Sequence, residues 1–368
     1  MLQLNSYNGQ RTADAAASAN CGGFAIFRWQ SNGQMPEPTF RGGHTWPTCA
    51  QRQNPISSEW TDDRLVQSLR NLNRDQKVPE LPEVETVRRG LETVLLGARF
   101  SRVDQRRPDL RFPFPERFAE RLAGRTVEGL WRRAKYLIAD LDGADALVMH
   151  LGMSGSFRIQ QALSIQEPAP EAGIAAKNPA HDHVAFELST GARVVYNDPR
   201  RFGFMLLISR HALAAHPLLQ SAGIEPLGDE FDGAALAKLF AGRRTSLKAA
   251  LLDQKLVAGL GNIYVCEALY RACLSPRRSA ITLVRKNGAP SADALRLARA
   301  IREVLEEAIA AGGSSLRDHR KADGGLGYFQ HNFGVYGRAS EPCIRCGGTI
   351  KRITQSGRAT FYCGSCQR

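Results

Sequence analysis

VPELPEVETVRRGLE, residues 78 to 92, decides how the rest of this 368-residue chain is read. Leu81, Val84, Val87, Leu91, Val94 and Leu95 recur at spacings of three and four, the stripe of an amphipathic helix, and Pro82 and Glu83 suit its first turn. Downstream the period changes to short alternating runs: YLIADL (136–141), ALVMHL (146–151), SFRI (156–159), HVAFEL (183–188) and ARVVYN (192–197). Gly, Asp and Pro separate them, as they do strands. The expectation is a β-sandwich or barrel with a helix leading into it. QQALSIQEPAPEAGIAAKNPAHD, residues 160–182, is rich in Ala and Pro and reads as a surface loop.

From about residue 230 the spacing becomes helical, in DGAALAKLFAGRR, SLKAALLDQ, GNIYVCEALYRA and ADALRLARAIREVLEEAIAAG. LDQKLVAGLGNIY (252–264) places a glycine-containing turn between two of these helices. Lys255 before the turn and Asn262 opening the next helix suit an anion, because helix-start N–H groups and the macrodipole attract negative charge. An ordinary helical hairpin fits the same residues.

Upstream of the opening stretch the composition breaks. Residues 1–77 hold 15 Asn and Gln, the following 291 residues only 14, and Trp29, Trp46 and Trp60 are three of the four tryptophans. Neither period persists there. The segment reads as an unmatched, spurious or disordered extension.

With 49 Lys and Arg against 36 Asp and Glu, the net charge of +13 favours a polyanionic partner. No apolar run is long enough for a membrane span, and the N-terminus lacks a signal-peptide pattern, so a cytoplasmic protein is expected. Cys343, Cys346, Cys363 and Cys366 form C-x2-C-x16-C-x2-C at the C-terminus, whereas Cys21, Cys49, Cys266 and Cys273 are scattered. Two such pairs deliver four thiolates to one tetrahedral Zn(II), a zinc ribbon.

These pieces in this order resemble the formamidopyrimidine-DNA glycosylases. The resemblance covers residues 79–368 through PELPEVETVRRGLE, RRAKYL (132), MHLGMSGSF (149), NDPRRFG (197), LVAGLGNIYVCEAL (256), GYFQHNFGVYGR (327) and the terminal cysteines. It implies an α+β multidomain protein: a catalytic β-sandwich with a leading helix at 79–207, a linker at 208–229, a helix-two-turn-helix domain at 230–334 and a zinc ribbon at 335–368. The activity implied is excision of oxidised purines from double-stranded DNA, as a monomer acting in base excision repair close to the nucleoid.

By resemblance Pro79 is the nucleophile, its secondary amine forming an iminium that leads to β- and then δ-elimination. An amine at a helix N-terminus is also kept unprotonated by the macrodipole. Glu80 matches the carboxylate that protonates the sugar ring oxygen, Glu83 a second acidic position, and Lys135 a phosphate contact beside the lesion. Met153, Arg200 and Phe202 match the trio that fills the gap left by a flipped base. Lys255, Asn262 and Arg358 match backbone-contact positions, and His150, beside the first of the trio, is a candidate phosphate contact, with a buried structural histidine as the alternative. The mobile loop over the base is expected near residues 314–329; Arg317 lies in it and takes no assigned role.

One departure stands out. Were residues 1–77 retained, Pro79 nitrogen would be a tertiary amide with a delocalised lone pair, unable to form an iminium. The expectation is that Val78 marks the true start, a GTG codon read as initiator Met, with specific proteolysis after Val78 as the alternative. Rival readings are an endonuclease VIII-like glycosylase for oxidised pyrimidines and a non-catalytic zinc-ribbon DNA-binding protein.

Overall fold

The computed structural model describes residues 79–161, 178–314 and 327–368. Expectations for residues 1–77 and Val78, for Arg317 and for most of the 160–182 and 314–329 segments lie outside these residues.

The opening stretch forms helix α1, Leu81–Leu95, with Glu80 as its N-cap and a proline in its first turn. Glu83 reaches back to accept a hydrogen bond from Glu80 N–H at 2.9 Å, the reciprocal half of a capping box. Val84, Val87, Leu91 and Leu95 enter the core of a β-sandwich, while Leu81 joins the core of the helical region. One helix therefore spans two cores, and burying Leu81 stabilises the junction by roughly 1.5–3 kcal/mol.

The sandwich has two four-stranded antiparallel sheets. In chain order its strands are β1 (Phe100–Gln105), β2 (Val127–Arg133), β3 (Tyr136–Leu141), β4 (Asp145–His150), β5 (Ser156–Gln160), β6 (Asp182–Leu188), β7 (Arg193–Asn197) and β8 (Phe204–Ser209). One sheet runs β1-β6-β7-β5, the other β2-β3-β4-β8. The five runs expected as strands are strands. β1, β2 and β8 were not anticipated, for two reasons. Bulges between Phe100 and Arg102 and between Val127 and Gly129 put the buried residues of β1 and β2 three apart, which erases the two-residue period. Residues 204–208 of β8 are all apolar because Met205 and Leu207 face the inner core while Phe204, Leu206 and Ile208 join a second cluster with Leu213, Leu218 and Leu219.

Two short helical turns, Arg210–Leu213 and Pro217–Gln220, lead to helices α2 (Gly233–Phe240), α3 (Leu247–Leu252), α4 (Asn262–Arg271) and α5 (Ala292–Ala310). Asp232, Ser246 and Ser291 cap α2, α3 and α5 through side-chain oxygens. The chain closes with hairpin β9 (Ile350–Gln355) and β10 (Arg358–Cys363). Its two-residue turn has φ of 48° at Ser356 and 73° at Gly357, the mirror-image turn that matches strand twist. Among the described residues no helix is long and apolar enough to cross a membrane.

Candidate active site

Pro79 and Glu80 are buried where α1 meets the start of α4. Leu81 N–H donates to Gly259 O at 3.1 Å. The Glu80 carboxylate, 5 % exposed, accepts from Ile263 N–H at 3.1 Å and Tyr264 N–H at 3.4 Å. An acid thus occupies the helix start that the sequence suggested for phosphate, and the macrodipole is answered from within the protein. The two glycines of VAGLGN admit it. A Cβ at Gly261 would lie 2.0 Å from Glu80 Cδ, and one at Gly259, φ +77°, would press on Leu81.

Burial raises the Glu80 pKa from 4.5 to about 7, against the opposing charge of Lys135 and the two N–H donors. The same burial lowers the pKa of Lys135, with Glu80 opposing and Arg358 reinforcing the fall. Glu80, Lys135 and Arg358, from three separate parts of the chain, therefore share one electrostatic neighbourhood. Glu83, 2 % exposed, accepts from Tyr264 Oη and from Ser314 N–H and Oγ at 2.9 and 2.8 Å. It ties α1 to α4 and to the N-terminal foot of the segment expected to cover a flipped base.

Lys135 is half-buried at the tip of the β2–β3 hairpin, after Ala134 at φ 52°. Arg132 and Arg133 each reach Glu225 at 2.9 Å, and Ala134 N–H donates to the same carboxylate. His150, 5 % exposed, stacks on Phe204 at 5.1 Å and accepts from Gly152 N–H through Nδ1. Burial, then Lys135 and Arg111, push its pKa down to about 3, so it is neutral and offers Nε2–H as a donor.

Met153 sits half-buried in the loop between β4 and β5; Arg200 and Phe202 are exposed in the loop before β8. Arg200 Cζ lies 4.8 Å over the Phe202 ring, itself 37 % exposed. The two loops press back to back. A Cβ on Gly152, φ +62°, would meet Phe202 C at 2.3 Å, and one on Gly203 would meet His150 O at 2.7 Å. Fully buried Asp198 joins them, accepting from Ser154 Oγ, from Tyr196 Oη at 3.2 Å and from Gly203 N–H at 2.8 Å.

Lys255 is exposed, its N–H held by Asp253 Oδ1 at 3.0 Å. Asn262 Nδ2 donates to Ala359 O at 2.9 Å, so this side chain fastens α4 to the C-terminal hairpin beside Arg358. Lys248, fully buried in α3, donates to the same carbonyl at 3.0 Å and to Thr360 Oγ1. The ligand atoms of Cys343, Cys346, Cys363 and Cys366 lie within 4.8 Å of one another. Four converging thiols fit one structural Zn(II) and leave no open coordination position. Glu267 anchors the approach to this ribbon by accepting from Gly334, Val335 and Tyr336 N–H.

Asp198, Glu225, Lys248, Glu267 and Tyr264 escaped the sequence reading. Asp198 and Glu267 lie inside quoted motifs, yet their partners are far away in sequence. Lys248 and Glu225 look like surface charges until the fold brings carbonyls and guanidinia to them.

Three family models match in order: the formamidopyrimidine-DNA glycosylase N-terminal domain over residues 78–205, its H2TH domain over 222–320, and the zinc finger found in FPG and IleRS over 340–368. The formamidopyrimidine-DNA glycosylase of Beijerinckia indica is 68% identical over 293 residues, 79% of this chain and 100% of the relative. That of Methylocella silvestris is 67% identical over the same shares of each chain. Among solved structures, a Lactococcus lactis FPG mutant in complex with a Fapy-dG containing DNA superimposes with a TM-score of 0.67 at 34% identity, covering 79% of this chain and 100% of that one. MutM (FPG) from Thermus thermophilus gives 0.64 at 40% identity, covering 78% and 98%. Three family models in order and relatives matched over their whole length place this chain among the formamidopyrimidine-DNA glycosylases, the base excision repair enzymes.

Proposed function

We propose that this chain excises 8-oxoguanine and formamidopyrimidines from double-stranded DNA and then cuts the strand by β,δ-elimination, with Pro79 nitrogen as nucleophile. The observation that carries the reading is the Glu80 carboxyl, one residue from Pro79, buried on the start of α4 and titrating near 7. A carboxyl poised there carries a proton for part of the time at neutral pH, so it can protonate the sugar ring oxygen as Pro79 attacks C1′, then accept protons during elimination. Lys135 offers positive charge to the lesion's phosphates; His150, Lys255, Asn262 and Arg358 extend the backbone grip. Met153, Arg200 and Phe202 fill the vacated stack, with the guanidinium meeting the orphaned base. When bound, Zn(II) holds the hairpin that presents Arg358. Every group named comes from one chain, so a monomer suffices, and the site of action is the bacterial cytoplasm and its nucleoid.

This chemistry requires a free amine, so we further propose that the active chain begins at Pro79, with Val78 as the misread initiator. The domains then run 79–207, 208–229, 230–334 and 335–368. The family model beginning at residue 78 and relatives matched over 100% of their own length by 79% of this chain support this reading.

Borohydride trapping on a duplex with 8-oxoguanine opposite cytosine tests it. A chain starting at Pro79 is expected to form a covalent adduct at Pro79, and a chain verified by mass to start at Met1 is expected to form none. Equal trapping by the intact longer chain would sink the nucleophile assignment. Trapping confined to oxidised pyrimidines would favour the endonuclease VIII-like alternative, and no trapping by either chain a non-catalytic DNA-binding role.

A further inference from the structure

Glu225 has no place in the chemistry above, yet its carboxylate gathers three donors from one hairpin tip. Arg132 Nη1 reaches Oε2 at 2.9 Å, Arg133 Nη1 reaches Oε1 at 2.9 Å, and Ala134 N–H donates to Oε1. Arg133 Nη2 adds bonds of 2.7 Å to the carbonyls of Ala222 and Gly223, and Arg132 also approaches Glu85 on α1 at 3.4 Å. The next residue along the hairpin is Lys135. Ala134 holds a left-handed φ of 52°, a conformation that costs an alanine energy and that the bond from its own N–H to Glu225 helps to fix.

The other side of the same short segment grips the helical domain. Gly223 N–H donates to Gln254 O at 2.8 Å, Ile224 N–H to Leu256 O at 3.1 Å, and Ala258 N–H returns to Ile224 O at 2.9 Å. Ile224 and Val257 form a parallel β-bridge. The approach is so close that a Cβ on Gly223 would meet Leu256 C at 2.3 Å and Lys255 C at 2.7 Å. Residues 222–225 therefore bond on one edge to the tip carrying Lys135 and on the other to the turn carrying Lys255.

We propose that Glu225 is a positioning residue that sets Lys135 against Lys255 across the two domains, so that both engage the phosphates of one strand together. The inference rests on the reading of Lys135 as a phosphate contact. It assigns Glu225 no contact with DNA. A carboxylate suits the task because it can accept from two guanidinia and one N–H at once, whereas an amide would turn an NH2 group towards one of the arginines.

The test uses the chain starting at Pro79 with its zinc bound, and compares Glu225→Gln, Lys135→Ala and the double variant. Duplex affinity is measured across a salt series, with thermal melting and zinc content on each protein. Glu225→Gln is expected to weaken binding roughly tenfold and to reduce the slope of log affinity on log salt by about one phosphate contact. The double variant is expected to bind within about twofold of Lys135→Ala alone, because Glu225 acts through a group already gone. A double variant weakened by the full product of the two single effects would overturn the proposal, as would wild-type affinity and slope in Glu225→Gln. Wild-type binding by Lys135→Ala would overturn the phosphate reading itself and the proposal with it. A loss of the melting transition or of zinc in Glu225→Gln moves the same comparison to Arg133→Gln, which removes one of the three ties and is held to the same outcomes.

Discussion

The Cβ that Gly261 lacks would lie 2.0 Å from the carboxyl carbon of Glu80. The absence of one side chain in the helical domain is what lets an acid from the first helix reach the start of α4. Gly261→Ala is expected to expel the carboxylate from Ile263 N–H and to lower borohydride trapping by roughly 100-fold, the scale on which misplacing a catalytic group costs rate. Zinc content should be unchanged. Trapping within threefold of wild type would show that Glu80 tolerates displacement.

The pH response follows from the same carboxyl. Folded, Glu80 titrates near 7; unfolded, it returns to about 4.5. Below 4.5 both states hold the proton, and between the two values only the folded state does, so stability falls as pH rises towards 7 and stays lower above it. The shift corresponds to roughly 3 kcal/mol. Glu80→Gln is expected to raise the melting temperature at pH 8 but not at pH 4. Base excision, which needs the protonated acid, should decline as pH rises through about 7 in the wild type. A flat wild-type profile from pH 6 to 8.5 would contradict this role.

Asp198→Ala removes the acceptor for Ser154, Tyr196 and Gly203 while leaving Met153, Arg200 and Phe202 in place. Buried donors left without a partner each cost about 1–3 kcal/mol, so a loss of roughly 2–4 kcal/mol is expected in urea unfolding. Activity on an intact duplex should fall more than activity on a strand whose base is already missing, because the latter needs less unstacking. Equal losses on both substrates would show that the loops do not serve base opening.

Chelation of zinc, or Cys346→Ser, should release the hairpin and with it Arg358. The ribbon rests on α3 and α4 through Lys248 and Asn262, which then lose Ala359 O. Duplex affinity is expected to drop by at least tenfold, while circular dichroism of the sandwich persists, because its core draws nothing from the ribbon. Loss of the whole melting transition on chelation would show that the ribbon is integral to the core.

How legible was this in the sequence? Helix α1 was, because its apolar stripe and capping residues agree, and so were the strands with an unbroken alternation. β1 and β2 were hidden by single-residue bulges, and β8 by having both faces covered. In the site, the four cysteines announce their chemistry by type and spacing, whereas Pro79 and Glu80 stand out only through the motif they open. The residues that hold them were not. Glu225 meets Ala134 from 91 positions away and Asp198 meets Ser154 from 44, and no local period reports such a partner. Asn262 shows the converse: its position at a helix start suggested an anion, and the fold gives its amide a second partner that the sequence did not report, a carbonyl of the ribbon.

The back-to-back loops closed by Gly152, Gly203 and Asp198 have a consequence for how a duplex is searched. In the proposed intercalating role, Met153, Arg200 and Phe202 rise from two loops packed against each other and tied through Asp198, so they enter a base step together rather than one at a time. On that reading each encounter opens the stack in one concerted step, and the weakest step along the DNA, rather than any single side chain's reach, decides where the loops enter.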